Sequence, residues 1–160
     1  MVSPPITNIE AGSTQTFRLV LRVPAEHDEA GYRLLLDQLP PPAMAGEIRI
    51  ALRFSIPVFA EPDNIVGAHV TWRVNTGPNG AILVGANQGS RHIRVLNPVL
   101  ISASGQRISV KPGQMPYILP GAQHDWPLAT GVNLIPGSTL HLVATSDAGP
   151  VDATVHVFGP

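Results

Sequence analysis

The chain contains no cysteine. That excludes disulfides and thiolate metal sites, and it leaves the redox compartment unreadable. Charge is scarce, at 13% of residues with a net value of −1. There is no basic excess of the kind that drives binding to nucleic acid or anionic membranes, so no nucleic-acid partner is expected. No apolar run approaches the ~18 residues needed to span a bilayer. Met1-Val2-Ser3-Pro4-Pro5 shows neither a basic nor an apolar signal region, so the chain as written reads as lacking a signal peptide. Stretches free of breakers are missing too. Across 160 residues there are 17 prolines and 15 glycines, which leaves little room for long helices.

What is present points to an all-β protein. Hydrophobic residues make up 44% of the chain, chiefly Val, Ile and Leu in short runs. The most informative run is 47–59. Ile48, Ile50, Leu52, Phe54, Ile56 and Val58 occupy every second position, and Arg49, Ala51, Arg53, Ser55 and Pro57 fall between them. Side chains alternate faces along a strand, so the spacing predicts one long β-strand with an apolar face and a small-or-basic face. Pro57 has no N–H to give a ladder and places the strand at a sheet edge or bulge. A long apolar edge is an aggregation hazard. Such a strand is either an ordinary core strand or one kept to be paired by another chain.

Further strands are predicted at Phe17–Arg22 and Tyr32–Asp37, with Leu39-Pro40-Pro41-Pro42 closing the second. Glu61-Pro62-Asp63-Asn64 reads as a break between a first domain, 1–62, and a second, 63–160. Beyond it, strands are expected near Val70–Val74, Ala81–Ala86, His92–Ser102, Arg107–Val110, Leu140–Ala144 and Ala153–Phe158. Turns are marked by Gly77-Pro78-Asn79-Gly80, Ala103-Ser104-Gly105, Pro112-Gly113, Pro120-Gly121 and Pro136-Gly137. Short strands with turn signals at this spacing form the pattern of an immunoglobulin-like sandwich. The first domain supplies only about three strands, where a sandwich needs roughly seven. Either another chain completes it, or the sequence begins partway through a domain.

Chemistry has few candidates. His27, Asp28 and Glu29 cluster in one expected loop, and His124 and Asp125 in another. Neither has a metal-ligand spacing or a nucleophile elbow nearby, and a solvated loop accounts for both. Trp72 and Trp126 are the residues on which a surface-exposed adhesion or carbohydrate-binding module would stack a sugar, although tryptophan in a sandwich is commonly core or rim. Catalysis is not indicated, and no cofactor is expected.

The order of motifs along nearly the whole chain resembles the PapD-like periplasmic pilus chaperones, in the branch serving archaic, Csu-type pili. The residues carrying the resemblance begin with Ser3-Pro4-Pro5-Ile6 and Gly12-Ser13-Thr14-Gln15-Thr16-Phe17-Arg18-Leu19. Glu29-Ala30-Gly31-Tyr32-Arg33-Leu34-Leu35-Leu36, Leu39-Pro40-Pro41 and Ile56-Pro57-Val58-Phe59 follow. The second half adds Asn87-Gln88-Gly89-Ser90-Arg91-His92 and Leu119-Pro120-Gly121-Ala122-Gln123-His124-Asp125-Trp126-Pro127-Leu128.

The resemblance implies two immunoglobulin-like domains set in an L, the first incomplete here, acting in the periplasm on pilus subunits and an outer-membrane usher. It also implies that the long strand lends its apolar side chains to a subunit's unfinished sandwich, with Ile48, Ile50, Leu52, Phe54 and Ile56 at the donor positions. Two features depart from the better-known branch. Pro57 stands where that branch has an anchoring lysine, leaving Arg18, Arg49 and Arg53 as candidate basic contacts. Of the charged network between domains, Glu29 matches one member. Glu61 replaces an arginine, and Leu134 falls near the expected aspartate. The segment that would precede Met1 in the family holds the signal peptide and about half of the first domain. The chain is therefore expected to be a truncated, non-functional chaperone that self-associates through uncovered strand edges.

Overall fold

In a computed structural model, residues 1–41, 45–111 and 116–159 are described. Pro42 of the Leu39–Pro42 motif and the Pro112-Gly113 turn lie outside the described residues. Within them the protein is all-β and contains no helix.

Four strands precede residue 61: β1 (Val2–Ser3), β2 (Arg18–Leu19), β3 (Ala30–Asp37) and β4 (Arg53–Ala60). They form two separate antiparallel ladders, β1 with β2 and β3 with β4. The β3–β4 register sets Leu36 opposite Phe54, Leu34 opposite Ile56 and Tyr32 opposite Val58. Directly opposed residues share a face, so these six make one apolar surface. Asp37–Arg53, Leu35–Ser55 and Arg33–Pro57 occupy the other face. Pro57 lies on a strand with a single ladder partner among the described residues, as its missing N–H requires.

The predicted strand over 47–59 is shorter than its alternation. Its ladder begins at Arg53, and residues 47–52 are not strand. The cause lies in the partner. β3 ends at Asp37, and beyond it the two segments are joined by the Gln38 N–H to the Leu52 carbonyl at 2.8 Å, the Leu52 N–H to the Gln38 side chain at 3.4 Å and the Arg49 guanidinium to the Pro41 carbonyl at 3.0 Å. Pro40 and Pro41 follow and have no N–H to offer. Likewise the predicted strand Phe17–Arg22 narrows to Arg18–Leu19, facing only the two residues of β1.

The remaining strands are β5 (Val70–Gly77), β6 (Gly80–Asn87), β7 (Ile93–Ile101), β8 (Arg107–Ser109), β9 (Tyr117–Ile118), β10 (Gln123–Pro127), β11 (Thr139–Ser146) and β12 (Gly149–Phe158). Seven run in the order β10-β6-β5-β12-β11-β7-β8, and β9 pairs with β7. A bridge between Val110 and Leu128 joins the ends of the two outer strands, so the sheet folds over and meets itself. The result is an immunoglobulin-like sandwich with its edges covered. Asn97 takes a left-handed φ of 50°, and beside it the β7–β11 register shifts by a bulge.

The core lies entirely here. Trp126, Leu83, Leu100, Ile118, Leu142, Val74, Val95, Val155 and Val157 are fully enclosed. Leu140, Leu142 and Ala144 alternate inward along β11 with His141, Val143 and Thr145 outward. By contrast, among the described residues 1–61 only Glu29 is buried.

Candidate functional site

The apolar face of β3–β4 looks toward the β1–β2 ladder without being sealed by it. One groove of about 500 Å³ runs between Ile6, Ile9 and Phe17 on one side and Leu36, Leu52 and Phe54 on the other. A second, of about 430 Å³, separates Leu19, Leu21 and Val23 from Tyr32, Leu34 and Val58. The predicted donor side chains stand open, with Ile48 95%, Ile50 78%, Leu52 52%, Phe54 53% and Ile56 43% exposed. Solvated apolar side chains in a row, beside an apolar groove, mark an interaction surface rather than a core.

The three candidate basic contacts are not gathered on a common group among the described residues. Arg49 donates to Glu47 Oε2 at 2.9 and 2.6 Å and to the Pro41 carbonyl at 3.0 Å. Arg53 grips Asp37 with two parallel bonds of 2.6 and 2.8 Å, which hold the Asp37 carboxyl below the usual carboxylate range. Arg18 lies exposed on β2.

Where β4 approaches the sandwich, the structure assembles a joint. Glu29, expected to lie in a solvated loop, has a wholly enclosed side chain whose Oε1 lies 2.6 Å from His92 Nδ1. The Asp147 carboxylate approaches the other ring nitrogen at 3.3 Å. Phe59 of β4 stacks on His92 with ring centroids 3.7 Å apart, and Tyr117 flanks both rings. The Ser90 carbonyl accepts the Glu29 N–H at 2.9 Å, and its hydroxyl exchanges bonds with the Val66 backbone at 2.9 and 2.8 Å. Glu61 pairs with Arg91 at 2.7 Å.

Buried Asn87 shapes the segment that supplies these groups. Its side-chain oxygen accepts from the His69 and Gly89 N–H groups, and its amide donates to the Arg91 and Ile118 carbonyls. Gly89 is confined, since a Cβ there would come 2.2 Å from the Gly67 carbonyl oxygen. Thus Asn87–His92, prominent in the sequence, is the sandwich's half of the joint. Sequence reasoning did not find its pairing. The available signal was a glutamate opening one motif and a histidine closing another.

The other candidates separate. His124 and Asp125 sit on β10, not in a loop, and are adjacent strand residues. His124 packs edge-on against Trp126 at 4.2 Å, while Asp125 accepts from Gln123 at 2.8 Å. Trp126 is enclosed, and half-buried Trp72 lies 5.8 Å from it against the core, so neither presents an open stacking platform.

Comparison with known proteins agrees with this geometry. Residues 1–66 match the family described as the pili and flagellar-assembly chaperone, PapD N-terminal domain. No curated protein matches. Among solved structures, the chain is similar to the YadV chaperone, with a TM-score of 0.69 at 22% identity over 97% of this chain and 77% of that one. A complex of the CsuC chaperone with the CsuE tip adhesion subunit, from archaic Csu pili of Acinetobacter baumannii, gives 0.58 at 20% identity, over 100% and 74%. The E. coli chaperone DraB gives 0.58 at 18%, over 99% and 74%. These likenesses establish the shared fold.

Proposed function

We propose that the chain, whose residues 1–66 match the PapD N-terminal domain of pili and flagellar-assembly chaperones, is a pilus-assembly chaperone of the archaic, Csu-type branch. It holds pilus subunits in the periplasm by strand addition and passes them to an outer-membrane usher. One observation carries this: the apolar alternation of 48–58 continues past the end of its own ladder, leaving Ile48, Ile50 and Leu52 exposed beside a groove. An extended segment of that kind can complete another protein's sheet. Backbone bonds supply affinity, and alternate side chains fill pockets.

The donor side chains are then Ile48, Ile50, Leu52, Phe54 and Ile56, and residues 1–62 and 63–160 act as two domains. Each apolar side chain fully buried contributes ~1.5–3 kcal/mol, so a few suffice for a tight complex once ordering costs are met. Arg49 and Arg53 lie on the opposite face and contribute little by comparison. The solved CsuC–CsuE pair, a chaperone holding a tip adhesion subunit, supports the choice of partner.

Capture of a tagged pilus subunit co-expressed with a version of the chain whose first domain carries a full strand set tests this. Leu52→Asp is expected to abolish capture, because an unpaired carboxylate in an apolar groove costs several kcal/mol and each ~1.4 kcal/mol is tenfold in affinity. Arg49→Ser is expected to leave it intact. Undiminished capture by Leu52→Asp removes the strand from the site.

A further inference from the structure

We infer that the joint between β4 and the sandwich is a proton-controlled latch, held closed by two protons along Glu29, His92 and Asp147 and loosened as pH rises above the range in which a free imidazole ionises. The three groups come from separate places in the fold: the residue preceding β3, the residue preceding β7 and the turn between β11 and β12. His92 stands between the two carboxylates, with Nδ1 2.6 Å from Glu29 Oε1 and Nε2 3.3 Å from Asp147 Oδ2. Phe59 covers one face of the ring, and the side chain is nearly enclosed.

Each contact requires its own proton. A nitrogen and an oxygen 2.6 Å apart hold a hydrogen between them, whichever atom formally carries it. The other Glu29 oxygen, Oε2, is buried without a hydrogen-bond partner among the described residues, so the enclosed carboxyl group depends on the Nδ1 contact. At the far nitrogen the outcome turns on protonation. An N–H on Nε2 is attracted to Asp147, whereas a bare lone pair there faces a carboxylate oxygen and is repelled. Asp147 is held in place, because its Oδ1 accepts the Arg94 N–H at 2.9 Å. Among the described residues, the other charges nearby are engaged elsewhere. The Arg94 guanidinium lies over the Tyr117 ring, and Arg91 pairs with Glu61 at 2.7 Å. Tyr117 meets His92 as one ring against another, and His27 and Asp28, next to Glu29 in the chain, are exposed.

The sign of the pH dependence follows. With the joint open, Glu29 and His92 are solvated, and above about pH 6.5 a solvated imidazole is neutral and holds one proton. Closing then takes a second proton from solution. Stability falls with rising pH wherever the closed state binds more protons. Closure is therefore fully favoured below about pH 6.5 and weakens above it, by up to about tenfold per pH unit. The inference does not rest on the proposed function.

Amide exchange of the full chain tests it, read as protection of β3 and β4 relative to the interior of β11 and corrected for intrinsic rates. The relative protection is expected to fall between about pH 6 and about pH 8.5. Asp147→Asn should flatten that fall, because its amide can turn an N–H toward the bare nitrogen. His141→Gln, which alters the exposed pair with Asp152, should leave the fall unchanged. Nitrogen NMR of the ring should show His92 Nε2 protonated at the acid end and losing its proton as protection falls. Protection that stays constant over this range, or that falls alike in the parent chain and Asp147→Asn, overturns the inference. So does a fall in protection while the protonation of His92 Nε2 does not change.

Discussion

His92 Nδ1 lies 2.6 Å from Glu29 Oε1, joining residues 63 positions apart at the place where β4 meets the sandwich. The Glu29 side chain is fully enclosed and His92 nearly so, in contrast to the half-exposed Arg91–Glu61 pair nearby. An enclosed carboxylate depends on its partner far more than a surface one does.

Removing His92 should therefore loosen the joint. His92→Ala leaves the Glu29 carboxyl enclosed without its closest polar partner and deletes the ring on which Phe59 stacks. A buried polar group so orphaned costs on the order of 1–3 kcal/mol. Faster amide exchange across β3 and β4 is expected, with the interior of β11 unchanged. Unaltered exchange in β3–β4 would show that the joint holds by other contacts.

The Asp37–Arg53 pair gives a pH dependence of known sign. Bonding to Arg53 lowers the Asp37 pKa. A carboxyl whose folded pKa is depressed contributes its stabilisation in full above the ordinary value of about 3.9, and loses it as pH falls through the depressed one. The end of the β3–β4 ladder should thus fray only in acid. Because both groups are exposed, the effect is small and salt-sensitive. Carboxyl-carbon NMR titration should place Asp37 below the other aspartates, and Arg53→Ser should return it to the common range.

A fragment of residues 65–160 should keep its fold. Every enclosed apolar side chain from Val74 to Val157 lies within it, and the Val110–Leu128 bridge covers its outer edges. Limited proteolysis of the whole chain should cut first within residues 1–61, where apolar side chains are not enclosed. The near-ultraviolet signal of Trp126 should survive that cleavage. Cleavage within β11 or β12 before any cut near Leu39 would contradict this.

Much of this architecture was legible in the residues. Alternation placed β5, β6, β7, β11 and β12 within a few residues of their bounds, and Gly77-Pro78-Asn79-Gly80 marked the turn between β5 and β6. The apolar face of 48–58 was equally visible, because side-chain direction along an extended chain is a local property with a period of two.

What alternation could not decide was where ladders stop and which distant groups meet. β10 escaped notice because His124, Asp125 and Pro127 resemble a loop, yet the backbone there pairs with β6. Glu29 read locally as one of three solvated polar residues, and the resemblance matched it to a charged network between domains, but its partner His92 was supplied by the fold alone. The strand over 47–59 was cut short at Arg53 by its neighbour, since β3 runs out and prolines follow. Local sequence determined the faces these residues present. Only the tertiary structure decided their partners, because hydrogen bonds and burial belong to pairs of segments that the chain brings together from far apart.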